Sequence, residues 1–66
     1  MTKETIAKII ETRDLYYIAK EIRRVRAEQD LSWLNAVDAV MNELQANGFW
    51  LTENESWELG DWFPEI

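Results

Sequence analysis

The sequence contains neither cysteine nor histidine, and only one proline and two glycines among its 66 residues. Without cysteine there is no disulfide framework and no thiolate. Without histidine the commonest general base and the commonest zinc ligand are missing, so most familiar nucleophilic and zinc-dependent mechanisms are excluded. Scarce Gly and Pro, with 47% apolar residues, argue against low-complexity disorder. No apolar run approaches the roughly 20 residues that span a bilayer. Residues 1 to 15 lack the basic-then-apolar layout of a secretory leader, so a cytoplasmic protein without membrane contact is expected.

Basic residues are also scarce: seven Lys and Arg stand against thirteen Asp and Glu, a net charge of −6. That balance opposes a general nucleic-acid binder. The imbalance is uneven along the chain. Residues 1 to 29 hold all seven basic side chains and five acidic ones, a local charge of +2, whereas residues 30 to 66 hold eight acidic and no basic ones, −8. All four Trp lie in the acidic part.

The apolar spacing predicts a single, mainly helical domain over residues 1–66. Ile6, Ile9 and Ile10 mark a helix over 3–12, with Thr2 as its cap and Glu4 in its first turn. Leu15, Ile18, Ile22 and Val25 form a second stripe, out of phase with the first by half a turn, so one straight helix would place the two on opposite sides. A break near Thr12 to Asp14 resolves this, with Asp14 capping a second helix over 15–28. Asp30 or Ser32 caps a third over 32–47, which ends at Asn47-Gly48.

Beyond Gly48, Phe49/Leu51 and Trp57/Leu59 alternate around Glu53-Asn54-Glu55, which predicts a C-terminal β-hairpin followed by an irregular tail. The alternative is an all-α fold in which Thr52 and Glu55 form the capping box of a fourth short helix. The expected core comprises Ile6, Ile10, Leu15, Ile18, Ile22, Val25, Leu34, Val37, Met41 and Leu44. Trp33, Trp50 and Trp57 are expected to help fill it, and Trp62 to be exposed.

From Leu44 through Gly48-Phe49-Trp50 to Trp57-Glu58-Leu59, the sequence resembles the third helix and wing of winged-helix domains. That resemblance implies a DNA-reading third helix, yet residues 32 to 47 carry Asp38 and Glu43 and no basic residue.

Three functions are compatible with these surfaces, none of them catalytic. The leading one is a protein-interaction module in which Glu53, Glu55, Glu58, Asp61 and Trp62 dock on a basic partner, the carboxylates pairing with Arg or Lys and the indole supplying contact area. It would act as an inhibitor or regulator that imitates DNA, of the type phages and mobile elements use. The second is a nucleic-acid accessory factor using Tyr16, Tyr17, Lys20, Arg23 and Arg24 on the second helix. The third is a regulatory homodimer joining the basic helix of one chain to the acidic part of its mate. No cofactor or metal is expected, since Glu53, Glu55, Glu58 and Asp61 lack the alternating ligands and central Gly of a calcium loop.

Overall fold

A computed structural model describes residues 1 to 61. Among them are four helices and no strand: α1 Lys3–Thr12, α2 Leu15–Gln29, α3 Trp33–Ala46 and α4 Glu53–Asp61. The helix ends follow from side chains that satisfy otherwise unpaired backbone groups. Thr2 Oγ1 accepts from the Thr5 N–H at 3.1 Å, Asp14 Oδ1 from the Tyr16 N–H at 3.0 Å, and Ser32 Oγ from the Asn35 N–H at 3.3 Å. Ser32 thus caps α3, and Asp30 instead closes α2 with a left-handed backbone, φ 52°.

The break between α1 and α2 lies at Arg13, whose φ of 51° turns the chain while its N–H donates to the Ile9 carbonyl at 2.8 Å. This lets both out-of-phase stripes face one interior. Ile6 and Ile9 of α1 meet Leu15, Ile18, Ala19, Ile22 and Val25 of α2, with Ala36, Val40 and Leu44 of α3, Phe49 of the following loop and Leu59 of α4 completing the core. The second helix is the hub: α1, α3 and α4 all pack on it, α3 most extensively.

The turn after α3 aims Phe49 into that core. Gly48, at φ 84°, allows its own N–H to reach the Gln45 carbonyl and the Phe49 N–H to reach that of Leu44, both at 3.0 Å. This is the paired bonding of a Schellman stop, with Leu44 and Phe49 as its apolar contact. A Cβ at Gly48 would meet no atom within 4 Å, so the cost of Gly48→Ala is the left-handed backbone alone. Chemical denaturation of that variant should register a loss of about 1 kcal/mol.

The predicted hairpin is replaced by α4, which also takes in residues 60 and 61 of the irregular tail expected over 60–66, the rest of which lies outside the described residues; with the hairpin goes the winged-helix wing. Thr52 and Glu55 decide the matter locally, because they form a reciprocal capping box. The Glu55 N–H donates to Thr52 Oγ1 at 3.2 Å and the Thr52 N–H to Glu55 Oε1 at 2.9 Å. Residues two apart on a helix lie about 200° apart, which puts Leu59 in the core and Trp57 in solvent.

Four further expectations about the core are corrected. Ile10 is 41% exposed and Leu34 is 79% exposed, because their neighbours Ile9 and Trp33 take the inward positions. Trp50 and Trp57 are 62% and 72% exposed rather than core-filling. Val37, Met41 and Trp33 are half-buried against the core.

Candidate partner-binding face

Helix α4 sorts its side chains by exposure. Leu59 and, one turn earlier, Glu55 face the rest of the protein, while Glu53, Trp57 and Asp61 recur at four-residue intervals on the outer side. The exposed indole of Trp57 therefore has a carboxylate one turn before it and another one turn after it, and exposed Glu58 borders the same stripe.

Glu55 belongs to a different device from the other acids assigned to this face. Its carboxylate takes a fork from Arg13, with Nε to Oε2 at 3.2 Å and Nη2 to Oε1 at 2.5 Å. Arg13 Nη2 also donates to the Trp50 carbonyl at 2.8 Å, and the guanidinium lies 4.6 Å from the centroid of the Phe49 ring. One side chain thereby ties the α1–α2 corner to the α3–α4 connection. Bonding to Arg13, followed by the Thr52 N–H, lowers the Glu55 carboxyl from its ordinary 4.5 to about 2.

A depressed carboxyl contributes stability that is fully present above the unfolded-state pKa and is lost as pH falls toward the folded-state value. For Glu55 that window runs from about 4.5 down to about 2. Denaturation midpoints measured across it should fall more steeply for the native sequence than for Glu55→Gln, and Glu55→Gln should already be less stable at pH 7. Parallel pH profiles would show that the Arg13 fork contributes nothing.

Arg24, Arg26 and Lys8 are engaged as well. Arg24 bonds Glu21 and Glu28 on its own helix, and both ion pairs hold its guanidinium more firmly protonated than an isolated one. Arg26 lies 4.4 Å from the Trp33 ring centroid, and Lys8 5.7 Å from that of Tyr17. Tyr16, 55% exposed, meets Tyr17 edge-on at 5.7 Å. Of the residues assigned to a nucleic-acid face, Tyr16, Lys20 and Arg23 are exposed, Arg24 is occupied and Tyr17 is half-buried.

The acidic half is the reverse. Glu55 is held by Arg13, and Glu43 by the N-terminal ammonium at 2.9 Å. Asp30, Asp38, Glu53, Glu58 and Asp61 have no ion pair among the described residues. Trp62, the remaining residue assigned to the acidic face, lies outside the described residues.

Beside the α4 stripe is a groove of about 230 Å³ between α3 and α4. Val37 and Met41 line it from α3, Trp50 and Leu51 from the connection, and Leu59 from α4, with Gln45 and Ser56 as polar lining. Asp38 and exposed Leu34 share the outer edge of α3 with Met41, at helical spacings of three and four. Sequence reasoning missed this groove because it joins residues from two helices and their connection, whose relative placement on α2 no local pattern encodes.

No family model, curated protein or solved structure matches this chain. Nor does any group of three or more Asp or Glu among the described residues converge so as to hold a metal ion. No described helix is long and apolar enough to cross a membrane.

Proposed function

We propose that this protein is a non-catalytic interaction module whose acidic, Trp-bearing face docks on a cationic surface of another protein, as an inhibitor or regulator would. The observation that carries this reading is the outer stripe of α4, where exposed Trp57 lies between Glu53 and Asp61 and neither carboxylate has a partner among the described residues. An Arg or Lys arriving there gains an ion pair and an aromatic face at one position. Arg13 reaches Glu55 on the inner side of the helix, whereas Glu53 and Asp61 make no ion pair among the described residues and are left to an incoming cation. A cationic surface shaped to hold nucleic acid suits such a ligand, which presents carboxylates where phosphates would lie.

Surface charges act mostly on the association rate and are screened beyond roughly 8 Å at physiological ionic strength. Proteins cross-linked to the native chain in extract should therefore have basic surfaces and should disappear when Glu53, Glu58 and Asp61 are changed together to Lys, with the fold retained by circular dichroism. Retention of the same partners by the reversed variant, or a mobility shift of duplex DNA that depends on Lys20 and Arg23, would replace this reading.

A further inference from the structure

Resting on the acidic-face reading, we infer that the element received is a single basic amphipathic helix, its apolar stripe seated in the α3–α4 groove and its Lys or Arg side chains reaching the rims. The groove's size selects a side-chain guest: about 230 Å³ falls below the ~300 to 1,000 Å³ of small-molecule pockets and suits the side chains of one stripe. Its length selects a helix. From Val37 to Gln45 the α3 wall extends about 12 Å at 1.5 Å per residue, roughly two turns, which accommodates anchors spaced i, i+3 or i+4, and i+7. The described residues include no strand, so there is no sheet edge onto which an extended peptide could add.

Charge complementarity selects the guest's sign and disfavours a second copy. Asp38 on the α3 rim and Glu53 on α4 make no ion pair among the described residues, and exposed Leu34 extends the apolar contact beyond the groove, of which Trp50 is an exposed wall. A second copy would bring another net −6, and its own basic helix has Arg24 occupied by Glu21 and Glu28.

The test uses three fluorescein-labelled peptides of about 18 residues, long enough for helix to form in isolation. One carries Leu at helical spacing on one stripe and Lys and Arg elsewhere. The second scrambles that composition, and the third replaces its Lys and Arg with Glu. Anisotropy titrations are run on the native chain, on Trp50→Ala, on Met41→Gln and on Glu53→Lys/Asp61→Lys, each checked for folding by thermal melting.

The amphipathic basic peptide should bind the native chain at least about tenfold more tightly than the scrambled one, and Trp50→Ala and Met41→Gln should each weaken it about tenfold without affecting the scrambled peptide. Because Trp50 is exposed, its variant carries the test if Met41→Gln does not fold. Equal binding of the two basic peptides, lost only on charge reversal, overturns the groove while leaving the acidic face standing. Equal binding of the Glu peptide overturns the charge selection. No binding by either basic peptide overturns both.

Discussion

Phe49→Ala is expected to leave a large fraction of the protein unfolded at room temperature. The ring is buried, packs beside Leu44 through the turn that closes α3, and lies under the Arg13 guanidinium. Removing it forfeits the burial of a large aromatic and opens a cavity, which typically costs about 3 to 5 kcal/mol. A core in a chain of this size rarely supplies more than about 3 to 5 kcal/mol in total. The loss would therefore rival the whole stability. Urea titration followed by far-UV circular dichroism checks this, and a midpoint close to that of the native sequence would show that Phe49 does not seal the core.

Ile22→Ala is the second large effect, at about 2 to 5 kcal/mol, because Ile22 is fully buried on the helix that every other element packs against. The instructive control is Leu34→Ala. From spacing alone both positions are equivalent core sites, but the exposure of Leu34 predicts a change within about 0.5 kcal/mol. Measured side by side, the two substitutions separate the observed core from the one drawn from periodicity. Similar losses at both would mean that Leu34 is covered in solution.

The first three helices were legible because capping and periodicity agree there. Thr2, Asp14 and Ser32 each start a helix at the residue their chemistry suits, and the half-turn phase slip between the α1 and α2 stripes leads directly to the Arg13 corner. Where the two signals disagreed, after Gly48, alternation of aromatic residues suggested a strand pair while Thr52 and Glu55 suggested a helix. The cap was the better guide because it satisfies specific backbone donors, whereas alternating apolar residues need a paired strand and a buried face before they mean anything.

Neighbouring apolar pairs were the second source of error. In Ile9-Ile10 and Trp33-Leu34 a helix turns only one member inward, and the outcome depends on where the other helices lie. The aromatic residues were misjudged for a related reason: 47% apolar composition is more than a core this small can enclose, so Trp50 and Trp57 are left outside. The Arg13–Glu55 fork joins residues 42 apart in sequence, and no local pattern announces it. It bears directly on the proposed docking face, since it engages Glu55 and leaves Glu53, Glu58 and Asp61 without an ion pair among the described residues.

The most direct measurement of the central claim is a two-dimensional amide and indole NMR titration of the isotopically labelled protein with a short peptide of Arg and Lys. Acidic side chains occur in both halves of the chain, so a cation has a choice. The shifts are predicted to gather at Glu53, Trp57, Glu58 and Asp61, with the Trp57 indole N–H among the most affected, and to fade as salt is raised. Shifts spread equally over Glu4, Glu11 and the acids of α2, or an unmoved Trp57 indole at saturation, would contradict the assignment of this face.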